Sequence, residues 1–411
     1  MNFNRDELEA PEWINPDFLK EVLEFNGELT SVTIHDYKTS PATVVGEHFA
    51  SIMFRANIRY STATSENQQC SVIIKGMPVA EGLKKDFIAQ DTLDFFGTEI
   101  FMYSKVLNDC QEILKSAGYP ETLVAKILYY SSEPRKVLVF EDLRELGYSL
   151  LPRVLPNDQD AEMIFSKLGQ YHAAVFKMEN EGRKDLRVKG TFLYLPNVGD
   201  FPIFRHGISF LHETVQTLPG FEEIADKLGK ITSDMLLKKC KESIFTPGAY
   251  NVLNHGDYSI KNLMYKTDDK DVVTQAVLID FQICHWGSPA YDLYFMASLI
   301  PYKRREKLFK LYFDTFIDVL VKSGYRGTLP TYDLLQQELK SNQHLDLCFL
   351  ATLTAFMTTD KNEIKEQMEE VMQSEELLRK YYKTPQYISF IKESLPILLK
   401  EGVLDKIISA S

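Results

Sequence analysis

The segment Asn254-His255-Gly256-Asp257-Tyr258-Ser259-Ile260-Lys261-Asn262-Leu263-Met264-Tyr265 constrains this chain more than any other, together with the run Ala276-Val277-Leu278-Ile279-Asp280-Phe281-Gln282 that follows it. The first sets an Asp and, five positions later, an Asn on a short polar loop that ends in an apolar strand. The second is an apolar run that stops abruptly at an acid, which places Asp280 at the mouth of a buried strand. Asn262 and Asp280 offer hard oxygen donors, the kind that Mg²⁺ takes alongside substrate phosphates. Asp257 is left to accept a proton.

One Asp as base, with an Asn and a second Asp on the metal, is the division of labour that kinase-type phosphoryl transfer needs, because positioning and charge neutralisation do most of that catalysis. The spacing resembles the catalytic loop and metal-binding Asp of the protein-kinase superfamily. The wording departs from a protein kinase: Gly256 stands where those enzymes carry an Arg, and Gln282 stands where they carry a Gly. His-Gly-Asp, then Asn262, then Ile-Asp-Phe-Gln, then Trp286-Gly287-Ser288-Pro289-Ala290-Tyr291-Asp292-Leu293 resembles the insect ecdysteroid kinase-like family, related to the choline and aminoglycoside kinases. Each string alone occurs by chance in loops; their order and context carry the resemblance.

Upstream, Ile52, Phe54, Ala56, Ile58 and Tyr60 alternate with polar or smaller partners, the mark of a half-buried strand. A polar hairpin leads from it to Ser71-Val72-Ile73-Ile74-Lys75. A Lys ending an apolar strand can simply snorkel to the surface. Here, though, a helical segment follows in which Glu99 interrupts an apolar face, and a buried carboxylate needs a partner. Lys75 is the natural one, giving the Lys–Glu pair that orients a phosphate-binding lysine. The resemblance further implies that the turn from Gly46 to Ser51 covers the phosphates, that Glu141 and Leu143 form a hinge meeting adenine, and that Asp292 anchors the catalytic loop. His172 shares an apolar helix face with Leu168 and Val175 and reads as a hydrogen-bonded core residue.

The expected architecture is α+β: a bilobal protein-kinase-like fold with a small antiparallel-sheet lobe (1–140) and a large, mainly helical lobe (141–411), with MgATP between them. Helical spacing fills 11–28, 304–322, 332–357, 361–382 and 386–401. A net charge of −12 with a pI near 5.3 argues against a dedicated nucleic-acid binder. Five cysteines, odd in number and never in a CxxC pair, argue for reduced core residues rather than a disulfide framework or zinc site. No apolar stretch approaches the ~20 residues of a membrane span and the start lacks a signal-peptide pattern, so a soluble, cytoplasmic protein is expected.

The function implied is transfer of the γ-phosphoryl group of ATP, with Mg²⁺, to a hydroxyl on a small molecule: an ecdysteroid-like steroid, or a hydroxylated foreign compound in detoxification. Tyr258, Trp286, Tyr291, Tyr294 and Phe295 lie close in sequence to the catalytic segments; any one of them reads first as packing of the lobe, and together they are candidate walls of an apolar acceptor pocket. Two other readings stand beside this one: a silent pseudokinase that keeps the fold as a binding module, and a choline- or aminoglycoside-type kinase. The presence of Lys75, Glu99, Asp257, Asn262 and Asp280 together weighs against the first.

Overall fold

A computed structural model of the chain describes residues 8–43, 51–78, 93–195, 197–244, 250–360, 366 and 368–410. The chain divides into two compact units, one from the described residues of Met1–Asn108, Thr122–Ser149 and Val277–Gln282, the other from Asp109–Glu121, Leu150–Ala276 and Ile283–Ser411. The expected α+β class holds, with an antiparallel sheet in the first unit and mostly helices in the second. No helix among the described residues is long and apolar enough to cross a membrane.

The sheet is built from β1 (Thr33–Pro41), β2 (Ile52–Ser61), β3 (Gln68–Gly76), β4 (Ile127–Ser131) and β5 (Val137–Glu141), in the order β1-β2-β3-β5-β4. Its period-two pattern separates two faces. Ile52, Phe54, Ala56, Ile58, Val72, Ile74, Val137 and Val139 turn to one side and pack with Phe18, Leu19 and Val22 of helix α1 (Pro16–Glu24). Side chains of this size stabilise by about 1.5–3 kcal/mol each when fully buried, so this face holds the sheet in register. Lys75 stands in the opposite phase, paired in register with Met53 on β2 and Leu138 on β5, and so emerges on the other side.

That side receives α2 (Phe95–Phe101), whose N-cap Asp94 accepts the Gly97 N–H at 2.9 Å. A π-helical turn, Met102–Val106, joins α2 to α3 (Leu107–Ser116). The expected lead-in helix over 11–28 is shorter, spanning Pro16–Glu24, because Asn15 caps its start by accepting the Phe18 N–H.

In the second unit, α4 (Asp158–Asn180) is followed by α5 (Pro202–Val215), α6 (Glu222–Leu228) and α7 (Ser233–Ser243). Strand β6 (Val252–Asn254) and β9 (His285–Gly287) form one short antiparallel pair, β7 (Leu263–Thr267) and β8 (Val273–Leu278) another. Then come α8 (Ala290–Ala297), α9 (Tyr302–Lys322), α10 (Tyr332–Ser341) and α11 (His344–Thr352). The helix expected over 332–357 is thus broken after Ser341 and again at Leu353, while 361–365 and 367 lie outside the described residues. Beyond them, Ser374 caps a fresh start at Glu375. All five cysteines are free, four of them buried.

Candidate active site

In the first unit Lys75 Nζ stands 2.6 Å from Glu99 Oε2 and 2.6 Å from Asp280 Oδ1. Strand β3 delivers the lysine, α2 the glutamate and the end of the apolar run after β8 the aspartate. Lys75 and Glu99 are buried, while Asp280 keeps 17% of its side chain exposed. Burial alone would push the ammonium pKa down, but the charge of Asp280 and then that of Glu99 outweigh it and hold Lys75 above its ordinary value. Burial pushes the Glu99 carboxyl up; Lys75 pulls it back, and the Asp280 charge adds to the rise. One cation therefore serves two carboxylates, of which Asp280 is the more exposed. A buried ion pair of this kind contributes little net stability, so its use lies in fixing the lysine.

Asp280 has a left-handed backbone, φ +69°, which a side-chain-bearing residue holds only when its surroundings enforce it. The residues after it enforce it here. Phe281 is fully buried edge-on against Tyr103 of the π-helical turn, 5.8 Å between ring centroids. Gln282 Nε2 donates to Asp280 Oδ2 at 3.3 Å. Sequence reading noted Gln282 only as a departure from a kinase glycine; its donation to Asp280 became visible with the fold.

At the end of β5 Glu141 is half-buried, its N–H donating to Lys126 O at 3.0 Å and its Oε1 accepting the Lys126 N–H at 2.7 Å. The Leu143 carbonyl accepts from the N–H groups of Leu146 and Tyr148. Between them Asp142, missed by sequence reading, is buried and accepts from Arg55 Nε and Nη2 and, at 2.7 Å, from Ser71 Oγ, which ties this turn to β2 and β3. Ser51 is buried just before β2, and Gly46 lies outside the described residues.

In the second unit β6 carries the chain into His255, Gly256 and Asp257. Gly256 has φ +86°, and a Cβ there would lie 2.2 Å from the Ile283 carbonyl oxygen, so only glycine fits. Asp257 is half-buried. Asn262, at the end of the 3₁₀ turn Ile260–Asn262, donates from Nδ2 to Asp257 O at 2.9 Å and to Asp257 Oδ2 at 2.7 Å. That leaves Oδ1 as the atom Asn262 can offer a cation. Asn262 Oδ1 here, and separately the Asp280 carboxylate of the first unit, are each hard oxygen donors of the type a divalent ion such as Mg²⁺ takes.

The loop is held from below. Asp292, on α8 and fully buried, accepts the His255 N–H at 2.6 Å on Oδ2 and the Gly256 N–H at 3.0 Å on Oδ1. His172 Nε2 stands 3.2 Å from the same Oδ2. Burial would raise the Asp292 pKa, but the hydrogen bond from His172 and the nearby imidazoles hold it below the usual carboxylate range. Burial depresses His172 and keeps it neutral. The expected anchoring role of Asp292 and the structural role of His172 are thus both seen.

The aromatic residues expected to wall an acceptor pocket are instead core. Tyr258, Trp286, Tyr291, Tyr294 and Phe295 are all buried. Tyr258 donates to Ile164 O at 2.8 Å and Tyr294 to Leu339 O at 2.9 Å, so their polar ends are turned inward. Each aromatic was needed to fill the helical unit, and proximity in sequence to Asp257 did not make it a wall. A cleft of about 790 Å³ in this unit is lined by other residues, among them Asn197, Asp200, Arg205, Ser233 and Lys238, and is polar in character.

Residues 45–325 match the family described as ecdysteroid kinase-like. Among solved structures, the chain is similar to an ethanolamine kinase of Plasmodium vivax (15% identity, covering 96% of this chain and 92% of that one, TM-score 0.42). It is similar to the choline kinase LicA of Streptococcus pneumoniae (14%, 80% and 98%, 0.35). A third is an aminoglycoside 2'-phosphotransferase-IIIa, solved as its GDP complex (12%, 89% and 97%, 0.38). No curated protein matches the chain.

Proposed function

The chain belongs to the ecdysteroid kinase-like family, and from that premise we propose that it is an ATP-dependent phosphotransferase acting on a hydroxyl of a small molecule. The observation that carries this reading is Lys75 fixed at 2.6 Å from both Glu99 and Asp280. A lysine held in this way is pre-aimed at phosphate oxygens, and its charge is retained despite burial. At the hinge the Glu141 N–H and the Leu143 carbonyl are engaged within the protein, so adenine would meet the Glu141 carbonyl and the Leu143 N–H. Ser51, with Gly46, would close over the phosphates.

Asp280 and Asn262 would hold Mg²⁺, which supplies charge neutralisation for the phosphate oxygens. Asp257, oriented by the Asn262 amide, takes the proton of the acceptor hydroxyl as its oxygen bonds to the γ-phosphorus. The bond from that phosphorus to the β,γ-bridging oxygen breaks, and ADP leaves with the electron pair. Calorimetry on Asp280→Asn tests the metal role: Mg-dependent ATP affinity should fall at least tenfold, and an unchanged affinity removes Asp280 from the metal.

For the acceptor, family membership supports an ecdysteroid-like steroid or a hydroxylated foreign compound, and with it a role in hormone inactivation or detoxification in the cytoplasm. The aromatic neighbourhood no longer adds to that choice. Mass spectrometry after incubation with MgATP should find a phosphate ester on a steroid or phenol in a mixed panel. An ester on choline or an aminoglycoside alone reverses the ranking.

A further inference from the structure

Three side chains, His172, Asp292 and Tyr312, are completely buried and joined end to end. Tyr312 OH lies 2.9 Å from His172 Nδ1, and His172 Nε2 lies 3.2 Å from Asp292 Oδ2. Which atom donates in each bond can be worked out. The Asp292 carboxylate is ionised, since its pKa is held low, so it only accepts. His172 must therefore donate from Nε2. A neutral imidazole then carries its lone pair on Nδ1, so the Tyr312 hydroxyl must be the donor there.

The opposite tautomer would turn the Nε2 lone pair onto a carboxylate and face a hydroxyl with Nδ1–H. The hydroxyl could accept that N–H by turning its own hydrogen away, but the lone pair facing the carboxylate would lose the bond that holds Asp292. The backbone geometry that sets up the relay is specific. Gly169 lies one helical turn before His172 on α4, and a Cβ there would meet the Tyr312 carbonyl oxygen at 2.6 Å. That missing Cβ lets α9 approach α4 closely enough for the tyrosine hydroxyl to reach the imidazole.

We infer that Tyr312 is a positioning residue for the phosphotransfer proposed above: by donating to His172 Nδ1 it fixes the tautomer that ties down Asp292, and through Asp292 the His255–Gly256 backbone that carries Asp257. Tyr312 touches no reacting atom. Its effect passes through two hydrogen-bonded groups to the two loop N–H groups that Asp292 accepts.

The test uses the full chain. Tyr312→Phe removes the hydroxyl and keeps the ring, and should lower kcat about tenfold, the factor that one net hydrogen bond corresponds to, with KM for ATP unchanged. His172→Gln offers an amide N–H in place of Nε2–H and has no tautomer to choose. On that background, adding Tyr312→Phe should cost nothing further. Imidazole ¹⁵N spectra of the histidine-labelled protein should show His172 as the Nε2–H tautomer in the wild type and a loss of that fixed signature in Tyr312→Phe. An unchanged kcat in Tyr312→Phe overturns the inference, as does a fully additive loss in the double variant or a wild-type His172 protonated on Nδ1. The spectra need no turnover, so a chain that transfers no phosphate but shows the fixed tautomer defeats the phosphotransfer reading and leaves the relay standing.

Discussion

Replacing Gly256 by alanine puts one methyl group where the loop has no room for it. Two costs add. The backbone there has φ +86°, and an L side chain in the left-handed region costs roughly 1–2 kcal/mol. The new Cβ would also start 2.2 Å from the Ile283 carbonyl oxygen, a backbone atom that no rotamer change can move. Reaching ordinary contact needs a shift of about 1 Å, shared between the Gly256 turn and the turn at Ile283 that precedes β9. The Gly256 N–H is also one of the two that Asp292 accepts, at 3.0 Å, so such a shift strains that bond. Together these amount to about 2–4 kcal/mol of stability. Turnover should suffer more than folding, because Asp257 is the next residue and a misplacement of about 1 Å costs on the order of 10²-fold. Steady-state kinetics and denaturant unfolding on the same preparation read both quantities. A Gly256→Ala variant with wild-type kcat and stability would show that the loop does not need this close approach, and the assignment of Asp257 would lose its structural support.

Glu99→Gln keeps the shape of the side chain and removes a charge whose ionised form burial already penalises, so stability at pH 7.5 should stay within about 1 kcal/mol of wild type. Turnover should fall at least tenfold as Lys75 loses one of its two anchors; full activity in a stable variant would contradict the pair's orienting role. Acid should destabilise the helical unit, because burial pushes His285 and His344 down to about 4 from an ordinary 6.5. A depressed histidine stays neutral in the fold while the unfolded chain takes up its proton. Their contribution is therefore complete above pH 6.5 and is lost as pH falls towards 4, up to about 3 kcal/mol for each. Unfolding midpoints that do not move between pH 7 and pH 4.5 would show that these imidazoles are not buried neutral.

Much of the site was legible because its chemistry sits in short strings. Asp257, Asn262 and Asp280 announce themselves by spacing, and Lys75 with Glu99 by charge placed in apolar surroundings, which the fold resolves into an ion pair. What was not legible depends on distance along the chain or on backbone shape. Tyr312 is 140 positions from His172 and sits in an apolar stripe where any aromatic would read as packing. Strand β1 was missed because Thr33–Pro41 is an edge strand whose residues are mostly exposed or half-buried, leaving no clean alternation to read. The aromatics beside Asp257 fell to the packing alternative rather than to the pocket. Their nearness in sequence was real, but a helical unit of this size must fill its interior, and these rings fill it.

The central claim is that this chain moves a phosphoryl group with Asp257 as the base. Its most direct test is transfer of ³²P from γ-labelled ATP to an added hydroxylated acceptor, run on the wild type and on Asp257→Asn with ATP affinity measured in parallel. The account predicts a labelled ester from the wild type, and from the variant a rate lower by about 10²- to 10⁴-fold at nearly unchanged ATP affinity. Equal rates from the two proteins, or a folded wild type that binds MgATP and labels no steroid, phenol, amino alcohol or aminoglycoside, would contradict it.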